Sequence, residues 1–412
     1  MFMTYTDPKG TVMNILISGA SVAGPTLAFW LRRYGFQVTV VERHPGGLRP
    51  GGQAIDVRGT ALTVLELMGL RDAAYAQRTD MRGMTMIGAD GEEIMRSEER
   101  TLTGGLIDSP DIEILRDDLA QLITEATDGV EYIFGDSISE LSEHADGVTV
   151  SFESGLQREF TLVIGADGLH SRTRALAFGA EQDFLHSLDT QIGIFSIPNI
   201  LQLDHWQIIR QVGPSEDSAG SMCIFYSARN NQAIRAMLGY RGELPADFDY
   251  RDAAQQKALL RAEFARDAWR IPEILDAMDA AEDFHFDLMA QIKMDNWHRG
   301  RVALVGDAAY SASPLSGQGT SIALVGAYVL AGELALSHGS PDAYQAYQQE
   351  LRSWVQQNQQ LAFSNSAAYQ DPSEVQEPSE FPTSNVAEVA KAYRLKDYPA
   401  LLAAAQRLIA RS

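Results

Sequence analysis

A chain of 412 residues, 45% apolar and 21% charged, is long enough for two domains or one enlarged domain, and its 34 Gly and 15 Pro are close to average usage, which excludes a disordered or collagen-like chain. With 55 acidic against 33 basic side chains the formal charge is −22, so a nucleic acid or an anionic membrane surface would be repelled at long range. The single cysteine, Cys223, excludes an intrachain disulfide framework and a cysteine-rich zinc site, and a reducing compartment, the cytoplasm, is expected.

Residues 1–12 include Asp7, Pro8, Lys9 and Gly10 and lack the apolar run of a secretory leader, so they are expected to form a short tail. Asn14 to Ser18 is almost wholly apolar, the pattern of a parallel strand covered on both faces. Pro25 to Tyr34, opened by proline and closed by Gly35, predicts one helix. Val38 to Val41, ending at Glu42, completes a strand, helix, strand unit, so the chain opens as α/β. Val148, Val150 and Phe152 alternate with polar residues between Asp146-Gly147 and Ser154-Gly155, which predicts an antiparallel ribbon. Ile192 to Ile197, Trp206 to Val212 and Met222 to Ser227 are strand-like and are assigned to a separate sheet. Arg301 to Asp307 returns to a buried strand ending in a turn, so the α/β domain is expected to be discontinuous with a β-rich domain inserted in it: α/β plus α+β overall. Ile322 to Leu336, interrupted by Glu333, falls short of a membrane span and predicts a buried helix. Pro341 to Tyr369 is helical in character, Asp371 to Pro382 has the composition of a surface linker, and Val386 to Arg411 predicts a helix broken near Pro399.

Three motifs carry chemistry. Gly19-Ala20-Ser21-Val22-Ala23-Gly24 is a variant of the dinucleotide fingerprint, a tight turn that lets backbone N–H groups and a helix N-terminus face a pyrophosphate, with Ser21 where the middle glycine normally stands. Glu42, 23 positions after Gly19, ends the next strand, where a carboxylate accepts hydrogen bonds from ribose hydroxyls. Leu162 to Gly165 leads into Asp167-Gly168, a segment that taken alone is a plain turn. In Gly306-Asp307 through Pro314, Gly317 and Gly319, a strand end presents an aspartate and a Pro/Gly loop feeds a helix from Thr320. The eight histidines include no His-Glu-x-x-His pair, so no metal site is expected. No Gly-x-Ser-x-Gly elbow is present, and Cys223 lies in an apolar strand pattern as a core residue.

Together these segments, joined by Arg116 in Ile114 to Leu119, resemble the group A flavoprotein monooxygenases, the p-hydroxybenzoate hydroxylase-like family, with the closest flavour among tetracycline- and antibiotic-modifying members. The resemblance implies a Rossmann-like FAD-binding domain in three parts (1–80, 106–185 and 291–340), substrate-domain strands in 81–105, a substrate-binding sheet over 186–290 and a C-terminal helical region over 341–412. It implies that Gly19, Ser21, Val22, Ala23 and Gly24 hold the FAD pyrophosphate, Glu42 the adenosine ribose with Arg43 beside it, and Asp307, after Gly306, the ribityl chain. Arg116, Asp167 and Gly168 would flank the cofactor. Pro314, Gly317, Gly319, Thr320 and Ser321 would lay a rigid loop along the isoalloxazine and aim the N–H groups of Thr320 and Ser321 at its pyrimidine edge, stabilising charge that accumulates on reduction.

The reaction implied is reduction of FAD by NADPH or NADH, addition of O2 to give the flavin C4a-hydroperoxide, and transfer of one oxygen to an aromatic or polyketide-like substrate in a dry cavity. Candidate substrate contacts are Gln191, Arg210, Phe225, Tyr226 and Pro314, drawn from an inventory that includes Phe195, His205, Trp206, Met222, Phe284, Phe286 and Met289. Arg43, Arg49 and Arg58 are candidate contacts for a dinucleotide phosphate, and monomer and homodimer both stay open. Departures from the family pattern are Tyr310 where many relatives have His, Ser321 where they often have Asn, and Gly326 where many have Asp. A flavin-dependent halogenase is disfavoured because no lysine lies between Lys9 and Lys257. A flavin-dependent reductase of the same fold, a non-catalytic FAD-containing binder and a plain NAD dehydrogenase remain as alternatives.

Overall fold

The structure, a computed structural model, describes residues 5, 10, 12–47, 51–213, 220–242, 244–245, 248–249, 252–368 and 383–409. Its first strand, Asn14–Ser18, is apolar from Ile15 to Ile17 because both its faces are covered. It sits inside a six-stranded sheet ordered His298–Arg299, Val302–Leu304, Leu162–Gly165, Asn14–Ser18, Gln37–Glu42, Glu131–Phe134, parallel except at the first pair. Ile15 and Ile17 point into the main core beneath the helices Ala23–Tyr34 and Gly319–Leu336, whereas Leu16 joins a second core under the antiparallel ribbon Ile138–Glu143, Val148–Phe152, Gln157–Phe160. Burial on two sides explains why this strand carries no alternation.

The helix Gly319–Leu336 is long and apolar enough to cross a bilayer by length and composition, yet the protein interior takes that place, and residues from Ser321 to Ala335 are buried. Its one charge, Glu333, accepts from Lys396 Nζ at 3.0 Å and from the Tyr398 hydroxyl at 2.7 Å, which pins the C-terminal segment to the core. That segment differs from expectation. The helices Thr383–Lys391 and Tyr398–Ile409 are separated by residues 392–397, and Pro399 falls in the first turn of the second helix, where a missing N–H breaks no intrahelical bond. The expected linker Asp371 to Pro382 lies outside the described residues.

A seven-stranded sheet runs His285–Ile292, Leu185–Pro198, Ala233–Arg241, Ser221–Ala228, Trp206–Val212, Gly83–Ile87, Glu93–Ser97. All its neighbours are antiparallel except Trp206–Val212 with Gly83–Ile87. One face packs Phe195, Phe225, Leu238 and Phe286 against the helices Ala253–Glu263 and Ile271–Asp279. The other face, with Ile192, Ile224, Tyr226, Met237 and Met289, meets Ala54 and Leu115 of a two-stranded ribbon, Ala54–Val57 with Ile112–Leu115. Strand ends of the six-stranded sheet and this face of the seven-stranded sheet border one site together with that ribbon.

Candidate active site

A cavity of about 560 Å³ is lined jointly by the strand ends of the six-stranded sheet and by one face of the seven-stranded sheet. At its nucleotide end, Gly19 has φ +106°, and a Cβ there would stand 2.4 Å from Ala166 O; a Cβ on Gly24 would stand 1.9 Å from Gly19 O. Only glycine lets strand, turn and helix close this tightly. Gly19, Ser21, Val22 and Ala23 line the cavity, while Gly24 packs behind them. The helix Ala23–Tyr34 has no side-chain cap, so its first N–H groups remain for an anion. Ser21, standing in for a glycine, takes a long contact of 3.5 Å from Arg116 Nη1, and Arg116 also donates to Gly51 O at 3.2 Å.

The carboxylates divide by role. Glu42 accepts from the N–H groups of Ala20 at 2.8 Å and His44 at 2.9 Å, which fixes the fingerprint turn from the next strand; both it and the exposed Arg43 line the cavity. Asp167 also lines it, but its oxygens are taken by Ser171 Oγ, by Thr173 N–H and Oγ at 2.9 and 2.8 Å, and by Ser18 Oγ at 3.3 Å, so it organises the turn through Gly168. Asp307, by contrast, opens onto the cavity. Burial by the surrounding chain holds its carboxyl above the usual range, against a hydrogen bond with Ser311 and with the added push of the Asp287 charge. Gly306 (φ +66°) makes the turn before it without lining the cavity.

The loop after Asp307 turns at Ser313 (φ +72°), forms one 3₁₀ turn over Pro314–Ser316, turns again at Gly317 (φ +63°) and enters the helix at Gly319. Pro314, Gly317, Gly319 and Thr320 line the cavity. Ser321 does not: it is fully buried, its Oγ accepts from Arg58 N–H at 3.1 Å and donates to Asp56 O at 3.4 Å, and its side chain ties the helix to the ribbon rather than facing a ligand. Turn, open aspartate and loop thus line one cavity with the chemistry a dinucleotide flavin needs.

Residues 12–362 match the family described as FAD binding domain. An uncharacterised protein of Mycobacterium tuberculosis is 52% identical over 357 residues, covering 85% of this chain and 93% of that protein. A flavin-dependent monooxygenase from an unknown prokaryotic organism is 40% identical over 347 residues, covering 84% and 87%. The chain belongs to the FAD-dependent monooxygenase family. Among solved structures, the tetracycline destructase Tet(51) superposes with a TM-score of 0.83 at 33% identity, covering 94% of this chain and 99% of that one.

In this monooxygenase the substrate-side expectations need correction, and the reason is strand parity. Phe225 and Arg210 point to the far face of the seven-stranded sheet, Phe225 into the helix-covered core and Arg210 into an ion pair with Asp267 at 3.0 Å and hydrogen bonds to Ala89 O. Gln191 shares the parity of Phe195 on the same strand and lies away from the cavity, as do Trp206, Phe284 and Phe286. His205 does not line the cavity either. Tyr226 has the correct parity but is covered: its hydroxyl accepts from Ala54 N–H at 2.5 Å. Cys223 is buried on the far face and burial pushes its thiol up to about 12, so it is inert. Arg58, a candidate phosphate contact, is buried in ion pairs, and Arg49 lies outside the described residues.

What lines the cavity on the face of the seven-stranded sheet is Met84, Met222, Ile224, Met237 and Met289, with Leu102, Pro314 and Leu315. The polar members there that sequence reasoning missed are Asp56, Thr101, Thr103, His170 and Asp287. His170 bridges Glu181 at 2.9 Å and Asp287 at 3.0 Å, joining the loop after Asp167 to the strand His285–Ile292. A carboxylate embedded between Ile55 and Val57 was the one available signal for Asp56. Among the described residues, no group of three or more His, Cys, Asp or Glu is placed to hold a metal.

Proposed function

We propose that this protein consumes NAD(P)H and O2 to hydroxylate an aromatic or polyketide-like small molecule, the class to which the substrates named for the tetracycline destructases belong. The observation that carries the reading is a single cavity in which a pyrophosphate-binding turn, an open aspartate and a glycine-bounded loop at a helix N-terminus meet a wall of methionine and aliphatic side chains. Bound FAD supplies hydride acceptance from NAD(P)H and activation of O2. The chain's own residues supply the rest. The turn from Gly19 to Ala23 would hold the pyrophosphate, Glu42 and Arg43 would stand at the adenosine ribose, and Asp307 would take the ribityl hydroxyls. Arg116, which reaches Ser21, and Gly168 would flank the cofactor. The N–H groups at the start of Gly319–Leu336 would stabilise the negative charge that reduction places on the ring system. Met84, Met222, Met237 and Met289 exclude water and accept flat apolar rings with adjustable, polarisable contacts. A reducing cytoplasm suits the buried single thiol of Cys223.

The test combines purified FAD-loaded protein with NADPH or NADH and a panel of phenols and tetracyclines under isotopically labelled O2. Expected are substrate-stimulated oxidation of the nicotinamide and a product heavier by one labelled oxygen atom. A product that gains two hydrogens and no oxygen would replace this reading with the reductase alternative.

A further inference from the structure

The ribbon that borders the cavity carries buried charge into its wall. Asp56 and Arg58 are 8% and 5% exposed, and both line the cavity. Arg58 Nη2 lies 3.0 Å from Asp56 Oδ2 and donates to Thr103 O at 2.7 Å, while its Nη1 lies 3.4 Å from Asp111 Oδ2. Glu113 stands directly across the ribbon from Asp56 and takes the hydroxyl hydrogens of Thr79 and Thr103. Three carboxyl groups thus gather around one guanidinium, and Asp56 Oδ1 is buried with no hydrogen-bond partner. A carboxylate stripped of water, with an oxygen that accepts no hydrogen bond, favours its neutral acid. Burial first, with the charges of Glu113 and Asp111 adding to it against Arg58, pushes Asp56 up to about 7. Tyr226 also stands against this cluster, with Arg235 beyond it, and the charged groups elsewhere on the cavity wall include Arg100, Arg116 and Asp307.

The cluster is stitched to the cofactor side. Arg58 N–H donates to Ser321 Oγ, and Ser321 Oγ to Asp56 O, so the Asp56 backbone abuts the first turn of Gly319–Leu336. We propose that Asp56 is a proton-holding residue that sets how readily the bound flavin is reduced: neutral, it makes the cluster around Arg58 less negative by one charge and so favours reduction, and ionised, it adds that negative charge and opposes it. Uptake of a hydride equivalent, two electrons and one proton, by neutral oxidised flavin leaves one negative charge on the ring system while the nicotinamide leaves oxidised. Like charges close together and screened little by solvent at the buried Asp56 repel, so each ionisation disfavours the other. Asp56 acts through the electrostatic field, as a positioning residue for charge.

The inference rests on FAD occupying this cavity. Its test is the midpoint potential of the bound FAD, measured by dithionite titration against indicator dyes on both sides of pH 7. Wild type is expected to show an added steepness that begins near pH 7, where reduction draws an extra proton onto Asp56. Asp56→Asn, neutral at every pH, is expected to follow wild type in acid, lose the added steepness and lie at higher potential in base. A purely structural role would displace the curve by a constant or leave it in place, and parallel curves overturn the inference. Glu113→Gln removes a neighbouring negative charge, so the onset moves to lower pH; an unmoved onset likewise overturns it, and this variant decides the matter if Asp56→Asn does not retain flavin. Wild-type protein that takes up no FAD overturns the FAD reading as well, whereas flavin uptake with parallel curves removes only the role of Asp56.

Discussion

Gly326 and Tyr310 form a pair that can be tested by a double-mutant cycle. A Cβ on Gly326 would stand 2.0 Å from Tyr310 Oη and 3.2 Å from its Cζ. Tyr310 has nowhere to retreat: it is 1% exposed, lies 4.5 Å centroid to centroid from Trp297, and accepts a hydrogen bond from the Tyr347 hydroxyl at 2.8 Å. Alanine is favoured over glycine by about 1 kcal/mol inside a helix, but overpacking a filled core costs about 1–3 kcal/mol. With a contact this short the clash wins, so Gly326→Ala is expected to destabilise the protein by about 1–2 kcal/mol. Tyr310→Phe removes one neutral hydrogen bond, worth about 1 kcal/mol, and Leu304 O, 3.2 Å from Tyr347 Oη, remains as an acceptor. In the double variant the nearest ring carbon needs to give by only a few tenths of an ångström, and the helix gain is released. The two changes should therefore combine to about 2 kcal/mol less damage than their sum. Urea unfolding of FAD-loaded protein, followed by tryptophan fluorescence and far-UV circular dichroism, measures the cycle. Additivity within about 0.5 kcal/mol would refute the steric coupling. The same pair explains two departures from the family pattern at once, since a side chain at position 326 and a tyrosine at 310 compete for one space.

Three further outcomes follow from the site. Asp307→Ala is expected to weaken FAD binding about 10–100-fold, the loss of a charge-assisted hydrogen bond, read by quenching of flavin fluorescence on titration; unchanged affinity would remove Asp307 from the cofactor site. For His170, burial opposes the charged form, but the hydrogen bonds and charges of Asp287 and Glu181 outweigh it and push it up to about 9. Its folded value is raised, so its stabilisation is fully present below the unfolded value near 6.5 and is lost as pH rises through about 9. Thermal melts should accordingly lose stability over that window in wild type and lose less in His170→Gln. Finally, Arg210→Met should leave KM for substrate unchanged while altering stability, because the pair with Asp267 is on the far face, whereas Met237→Ala should raise KM with little change in unfolding midpoint of the flavin domain. The reverse pattern would mean that the face assignment is wrong.

The two halves of the site were unequally legible in the sequence, and the difference is physical. The nucleotide half is built from backbone. A turn in which a Cβ at Gly24 would approach Gly19 O to 1.9 Å leaves no choice of residue, so the requirement is written directly into the local string. The substitution of Ser21 was tolerated because that position faces Arg116 and the cavity, not packed backbone. The substrate half is built from side chains on a sheet buried on both faces. Along Ser221–Ala228 the residues Cys223 and Phe225 are as apolar as Met222, Ile224 and Tyr226, so period-two alternation is silent about which set turns to the cavity. Strand order and the position of the helices Ala253–Glu263 and Ile271–Asp279 decide it, and these are long-range facts.

That same parity gives the cavity its character. The face covered by helices received most of the sheet's phenylalanines, which pack as a fixed core, and the face left for a ligand received Met84, Met222, Met237 and Met289. Methionine has three rotatable bonds and a polarisable sulfur, so this wall fits itself to a ring system without a shape-specific partner. Orientation must then come from the opposite side, where Pro314 to Gly317 is held by the positive-φ turns at Ser313 and Gly317 and cannot yield in the same way. A rigid loop against an adaptable wall lets the position of the reacting atom be set from the cofactor side while the identity of the rings varies. Changes to the methionines should therefore redistribute which substrates are accepted before they alter how tightly nicotinamide oxidation is coupled to oxygen transfer, and changes at Pro314 should do the opposite.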